Sequence, residues 1–257
     1  MTLLHTRVRP GTGLRRVRVP RTRPPRWRAA TLFAVLSGAY FLVGAVMVLR
    51  YNFFDPDGPS RVANAAFTFL SRDPHLSAVG FVWNPLPSLV TIPVLHLSPW
   101  WPALKTAGLA GVVQSAMFMA GAALMAGRIA VDHRVGTVWR WVAVCCFALN
   151  PVVITYGASG MSEAAELFCL LWCVRYLLLW VESGRIGDLA WAGVALGVGY
   201  LARYEVVFAA AGAAVLVAVV SLRRPADSDR LTAAILNTVI VLFPIATAFG
   251  VWAVTGW

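Results

Sequence analysis

The sequence predicts an all-α, polytopic membrane helix bundle of about seven transmembrane helices, with two more helices lying along the membrane in the first outer loop. Three observations predict it. The chain is 59% hydrophobic, with a mean hydropathy of +0.72. Its apolar residues gather into runs of near-spanning length, since crossing a hydrocarbon core of about 30 Å takes roughly 17–25 helical residues. Its acidic residues, 11 in 257, collect mostly at the ends of those runs, as expected where charge in lipid is costly.

The chain opens on a basic tail, residues 1–28. Nine arginines stand there: Arg7, Arg9, Arg15, Arg16, Arg18, Arg21, Arg23, Arg26 and Arg28. With Pro10, Pro20, Pro24 and Pro25 among them, the tail reads as disordered. Placed before an apolar run it is the positive-inside signal of a cytoplasmic N-terminus, able to touch anionic headgroups. The net charge of +11 therefore points to membrane lipids, and nucleic acid is excluded as a partner. The first apolar run lacks a nearby cleavage site and should stay as an anchor.

Residues 29–257 form the transmembrane domain. Its apolar runs are 30–49, 106–127, 141–156, 163–181, 189–202, 206–222 and 233–254. Alternating them puts 17 of the 22 Lys and Arg residues inside and five outside. The protein is thus expected in the plasma membrane, multi-pass, with loop 50–105 outside. The division at Arg203-Tyr204-Glu205 follows from length: residues 189–222 as one helix would run about 51 Å, too long for the bilayer. A hairpin with those charges at the surface is cheaper.

The outer loop carries Asp55 and Asp57 just past the first span. A short amphipathic helix should follow near 60–72, capped by Ser60 and stopped by Asp73-Pro74. Arg61, Asn64, Thr68 and Ser71 form its polar stripe, with Val62, Ala65, Ala66, Phe69 and Leu70 opposite. It would lie in the interface plane. A second helix near 85–97 starts from Asn84 with Pro85 in its first turn, and Trp83, Trp100 and Trp101 would anchor it at headgroup level.

Topology then brings charges together. Glu163 and Glu166, at i and i+3, share a face at the outer end of the fourth span. Arg203 and Glu205 join from the next outer turn, and Lys105 opens the second span. Arg175 lies in the inner half of its span and can snorkel inward. Cys145, Cys146, Cys169 and Cys173 all fall inside spans and read as small buried hydrophobes.

This constellation suits a lipid-linked sugar phosphate. The isoprenoid tail belongs in the bilayer, the phosphate at the interface, the sugar in the loop. Arg and Lys would hold the phosphate and stabilise the leaving group. A carboxylate such as Asp55 would take the proton from the acceptor hydroxyl. The interface helices would hold donor and acceptor together.

The chain resembles the integral-membrane glycosyltransferases of the GT-C superfamily, which include protein O-mannosyltransferases and aminoarabinose transferases. The resemblance covers about residues 30–257. It rests on Phe54-Asp55-Pro56-Asp57 after the first span, the interface helices, Trp83-Asn84-Pro85-Leu86-Pro87, Lys105, Asn150-Pro151 followed by Gly160-Met161-Ser162-Glu163, and Tyr200-Leu201-Ala202-Arg203-Tyr204-Glu205. It implies transfer of a sugar from a polyprenyl-phosphate donor to an acceptor hydroxyl on the outer face of the cell envelope. Asp55, Asp57 and Glu163 are the expected catalytic group. Arg61, Asn84, Lys105, Glu166, Arg203 and Glu205 are expected to bind substrate, Lys105 and Arg203 through the phosphate. Asp55-Pro56-Asp57 stands where many relatives have adjacent Asp-Glu. Asp-x-Asp is a metal motif in soluble sugar-nucleotide transferases, but a divalent metal is not expected here. Relatives are longer, so the chain reads as an N-terminal fragment. Two other readings use the same residues: a transporter or flippase for a lipid or small solute, and an inactive truncated membrane protein.

Overall fold

A computed structural model of the chain describes residues 26–53, 55–79, 83–224 and 229–255. The expected disordered tail lies outside the described residues up to position 25, and Arg26 already belongs to the first helix. Phe54 and the terminal Gly256-Trp257 also lie outside them. Among the described residues every regular element is helical: α1 (Arg26–Tyr51), α2 (Asp57–Leu70), a 3-10 turn (Leu76–Val79), α3 (Pro85–Leu95), α4 (Ala103–Thr106), α5 (Leu109–Asp132), α6 (Thr137–Ala148), α7 (Pro151–Ala158), α8 (Glu163–Ser183), α9 (Ile186–Tyr200), α10 (Val206–Arg223) and α11 (Arg230–Thr255).

Helices α1, α5, α8, α10 and α11 are long and apolar enough to cross a membrane, and α6 with α7 is so only as a pair, bent by 59°. Helix α9 has 15 residues, about 22 Å, short for a span by itself. Its ends decide its course. It starts beside the C-terminus of α8, where Ser183 Oγ donates to Asp188 Oδ2 at 2.8 Å. It finishes beside the N-terminus of α8, where Arg203 meets Glu163. Helix α9 therefore runs alongside α8 from one end of the bundle to the other. The hairpin at 203–205 follows as the sequence requires.

The sequence treats 141–156 as one run, and the structure breaks it at Asn150-Pro151. Proline has no N–H and its ring crowds the preceding turn, so the helix stops there. Asn150 Oδ1 restarts it by accepting the Val152 N–H at 2.9 Å. The Tyr40 hydroxyl donates to the Ala148 carbonyl at 2.9 Å, so a carbonyl next to the break still finds a partner.

Two ends of the bundle are held differently. At the end bearing loops 133–136 and 184–185, Arg175 pairs with Asp132 at 2.8 Å. His133 approaches Glu182 at 3.2 Å. Arg224 lies 4.5 Å over the Trp180 ring and donates to the carbonyls of Trp180 and Val181. A cation there satisfies the last carbonyls of α8 and complements its dipole. Of the cysteines, Cys169 and Cys173 are buried as expected. Cys145 and Cys146 are exposed on the bundle surface, and all four are free thiols.

At the other end, the chain passes from α1 to α5 through α2, α3 and α4. Helix α3 begins there, where the Leu86 N–H donates to Leu201 O at 2.8 Å. It also finishes there, where buried Leu95 packs with Leu104 and Leu109. Its 11 residues reach about 16 Å, so it runs along this end without crossing. Helix α2 differs from its expected orientation. Its buried residues are Gly58, Arg61, Val62, Ala65 and Ala66, while Phe67 and Leu70 are exposed. Arg61 faces inward, not to water. Ser60 does not cap the helix; it sits in its first turn with Oγ bonded to the Pro56 carbonyl. Lys105 does not open the second span either. It sits on the separate turn α4, divided from α5 by Gly108 in the left-handed region at φ 70°.

Candidate functional site

Three glycines bring the site elements together. A Cβ on Gly58 would stand 2.7 Å from the Ser159 carbonyl oxygen, and one on Gly111 would stand 3.5 Å from the Gly58 carbonyl oxygen and 3.6 Å from Gly160 Cα. Gly160 adopts φ 79°, which a side chain would oppose. The start of α2, the start of α5 and the turn before α8 therefore touch backbone to backbone. Ser115 ties this junction, donating to Gly157 O and accepting from Gly160 N, both at 3.0 Å.

Around that junction stand most of the residues expected from the sequence. Arg203 is the hub. It reaches Glu163 at 2.5 Å, Glu166 at 3.2 Å and Glu205 at 2.6 Å, and Ser162 Oγ at 3.4 Å. Burial alone would lower its pKa; the hydrogen bond to Glu205 and the charges of Glu163 and Glu166 raise it above the ordinary value. The same hydrogen bond holds the Glu205 carboxyl below its ordinary range.

Arg61 is the second cation, and it is only 4% exposed. Its guanidinium lies 4.7 Å over the Trp83 ring. Nε and Nη1 are buried with no hydrogen-bond partner. Burial pushes its pKa down, opposed by the charges of Asp57, Glu163 and Asp55. An arginine stays protonated even so. Its backbone carbonyl accepts from Ser88 Oγ at 3.2 Å, which fixes α2 against α3.

Asp55 and Asp57 flank the entry to α2. Asp55 Oδ1 accepts the Asp57 N–H at 3.1 Å, an Asx-type start to the helix. Asp55 also lines a cavity of about 480 Å³ with Phe53, Pro151, Thr155, Tyr156 and Met161. Asp57, half-buried, lies in the first turn of α2, where the helix dipole favours its charge.

Two expected residues are placed apart from this group. Asn84 is buried, and its side-chain N–H donates to the Tyr200 carbonyl, holding the start of α3 to the end of α9. Lys105 is exposed and lines a second cavity, of about 440 Å³, with Arg72, Phe67 and Leu70. Helix α2 therefore borders a cationic groove, while the cavity at its entry carries one carboxylate, Asp55. Sequence reasoning missed Gln114, 1% exposed, with both amide atoms unpartnered; a lone Gln inside an apolar run was its signal. Among the described residues no three His, Cys, Asp or Glu side chains group as metal ligands.

A family model for dolichyl-phosphate-mannose-protein mannosyltransferases matches residues 106–252, more than half of the chain. The chain belongs to that family. No curated protein matches it. Membership makes it a multi-pass membrane protein of a glycosyltransferase family that draws on a lipid-linked sugar. The matched mannosyltransferase stretch includes Glu163, Glu166, Arg203 and Glu205. Asp55, Asp57, Arg61, Asn84 and Lys105 precede it, and of these Asp55, Asp57 and Arg61 join the group at the entry and first turns of α2.

Proposed function

We propose that this end of the bundle binds a polyprenyl-phosphate sugar and an acceptor, and that the protein moves the sugar to an acceptor hydroxyl. One observation carries the reading. In a chain of this family, Asp55, Asp57, Arg61, Glu163 and Arg203 gather at one end, beside a cavity that Asp55 lines. Asp55 is the better general base of the two aspartates, because its cavity can admit an acceptor; Asp57 is the alternative. The base takes the hydroxyl proton as the acceptor oxygen attacks the anomeric carbon, and the phosphate leaves with the glycosidic electron pair. Glu163 and Glu166 offset positive charge that develops on the sugar ring. Lys105 contacts the donor phosphate at the interface. Arg203, expected for that contact too, is engaged by three carboxylates; its role is to hold Glu163.

Sidedness belongs to the same proposal. Arg128, Arg134, Arg140, Arg185, Arg223, Arg224 and Arg230 lie in or beside the loops of the opposite end, which favours a cytoplasmic placement for that end and an outer one for the site. Labelling of single cysteines at Ser60 and Gly136 reads this directly; reaction of position 136 from outside refutes it.

The break at Asn150-Pro151 favours a second reading, a transporter, because transporters build sites on discontinuous helices. Here the Tyr40 hydroxyl fills the break and the charges gather at one end instead of mid-depth. A transfer assay decides. Asp55→Asn is expected to lower turnover about 100-fold or more while polyprenyl-phosphate-sugar binding persists. Wild-type turnover in both Asp55→Asn and Asp57→Asn would remove the proposed base.

A further inference from the structure

The cavity at the entry to α2 has a lining that selects its occupant. Asp55 is its one charged residue, and no lysine or arginine stands among the others. Asp55 Oδ1 accepts the Asp57 N–H, and among the described residues nothing donates to Oδ2. Across from it, Val152, Thr155, Tyr156 and Ser159 line the cavity; at i, i+3, i+4 and i+7 they share one face of α7 and its C-cap. Thr155 Oγ1 donates to the Pro151 carbonyl and Ser159 Oγ to the Tyr156 carbonyl. The Tyr156 hydroxyl has no partner among the described residues. Neither it nor Asp55 Oδ2 is one of the enclosed, unpartnered atoms. The free polar groups are thus one carboxylate oxygen and one phenol, both accessible.

The rest of the wall is apolar and descends along the spans. Met47 and Val48 belong to the last two turns of α1, and Val152 to the first turn of α7. Val152 is 60% exposed on a helix that crosses lipid together with α6, so its outer face meets the bilayer. From Ser159 to Val152 the wall runs seven residues, about 10 Å, deeper than a headgroup layer of roughly 5–8 Å. At its other edge the cavity includes Pro56, and the groove at Lys105 includes Pro59, so both openings meet the same turn of α2.

This lining rejects several kinds of acceptor. An anion would face Asp55 with no cation in the wall. An ammonium would pair with Asp55 and tie up the base. A peptide would bring backbone N–H and C=O groups to a wall with two free polar atoms, and each unmatched group is costly there. A hydroxyl on a neutral headgroup donates to Asp55 Oδ2, a neighbouring oxygen accepts from the Tyr156 hydroxyl, and an acyl or alkyl chain fills the wall of Met47, Val48 and Val152.

We propose that the acceptor is a neutral polyol carried on a lipid anchor, which enters the Asp55 cavity sideways from the bilayer along α1 and α7. Its hydroxyl proton passes to Asp55 as its oxygen bonds the anomeric carbon, and the donor phosphate leaves with the electron pair of the broken glycosidic bond. The proposal rests on the glycosyltransferase reading above and adds the class of acceptor and its route.

The test is photolabelling of the full chain in nanodiscs with dodecyl glucoside bearing a diazirine in its alkyl chain. Label is expected on the α1 and α7 residues that line the cavity, and unlabelled dodecyl glucoside should remove it. Methyl glucoside, which lacks the chain, dodecyl phosphate, which carries the wrong charge, and a neutral threonine tripeptide should each compete about tenfold more weakly or worse. Val152→Trp, at a lipid-facing position, should lower labelling about tenfold by filling the mouth. Tyr156→Phe should weaken it roughly fivefold to tenfold, one hydrogen bond. Label confined to other residues overturns the proposal, as does equal competition by any of the three competitors or full labelling of both variants. Transfer from decaprenyl phosphate carrying mannose separates the two readings. Transfer to dodecyl glucoside supports both. Transfer to the tripeptide alone overturns the lipid-borne acceptor and keeps the glycosyltransferase. Transfer to neither, with the cavity still labelled, counts against the glycosyltransferase and leaves the cavity a site for neutral lipids.

Discussion

Glu163 and Arg203 meet at 2.5 Å, joining the first residue of α8 to the turn between α9 and α10. The side chains are 21% and 25% exposed, so the pair is neither dry nor freely solvated. Glu166 and Glu205 crowd the same guanidinium. One cation thereby holds three carboxylates that would otherwise repel one another, and it fixes the spacing of two helix hairpins.

Removing the hub should cost more than removing a spoke. Arg203→Ala leaves three partly buried carboxylates without their cation and is expected to destabilise the fold by about 1–3 kcal/mol, below the cost for a fully buried pair because water screens part of it. Arg203→Lys should recover only part, since an ammonium cannot reach three carboxylates with a planar fork. Thermal unfolding in detergent reads both. An alanine variant as stable as wild type would show that the cluster carries no stability.

Acid should loosen the same turn. The hydrogen bond from Arg203 holds the Glu205 carboxyl below its ordinary value of 4.5. As pH falls, the unfolded chain therefore takes up its proton first. The contribution is complete above about 4.5 and is lost as pH falls through the folded pKa. The expected result is a drop in melting temperature below pH 4.5 that is shallower in Glu205→Gln, which has no proton to bind. Superimposable acid limbs for the two proteins would count against the pair.

The spans and the 203–205 hairpin were legible in the sequence because hydropathy runs and helix length leave few alternatives once lipid is the solvent. The convergence of Asp55, Asp57, Glu163, Glu166, Arg203 and Glu205 was legible for the same reason: alternation of spans puts them at one end. The orientation of α2 was not. A polar stripe of Arg61, Asn64 and Thr68 looks outward when the interior is taken to be apolar, whereas here the interior of this end is acidic and draws Arg61 in. The separate turn α4 was hidden because Gly108 interrupts an otherwise apolar run. The bend at Asn150-Pro151 was visible as a motif, but the Tyr40 hydrogen bond to Ala148 beside it was not, because the two residues are about a hundred positions apart in the chain.

Gly58 tests the backbone junction beneath the site. An added Cβ would stand 2.7 Å from the Ser159 carbonyl oxygen, closer than real contacts allow, and backbone cannot step aside as a flexible side chain can. Gly58→Ala should push the start of α2 off the turn before α8, at a cost of about 1–3 kcal/mol for overpacking. Because Asp55, Asp57 and Arg61 all ride on that segment, activity should fall further than the loss of folded protein accounts for. Gly38→Ala is the control, since nothing lies within 4 Å of its Cβ position. Equal activity of the two variants, normalised to folded protein, would show that the close approach does not set the site.

The cationic groove gives the last prediction. Pro59, Ala63, Ala66, Phe67 and Leu70 form its apolar lining, and Arg72 and Lys105 its charge, with no carboxylate among the lining residues. An apolar wall topped by cations matches a lipid tail ending in a phosphate. A basic residue near a membrane surface contributes about 1 kcal/mol toward an anionic headgroup, roughly a fivefold change in affinity. Lys105→Ala and Arg72→Ala should each weaken bare decaprenyl phosphate binding by about that factor, and the double variant by more. Both lysine and arginine are exposed here, so the losses should shrink as salt rises and screens the contact. Arg203→Ala should leave bare-lipid affinity near wild type wherever the variant is folded, because its guanidinium is already held by Glu163, Glu166 and Glu205. Titration of the four proteins in nanodiscs at low and high salt separates the cases. A large, salt-insensitive loss in Arg203→Ala, with Lys105→Ala unaffected, would move the phosphate out of the groove and onto Arg203.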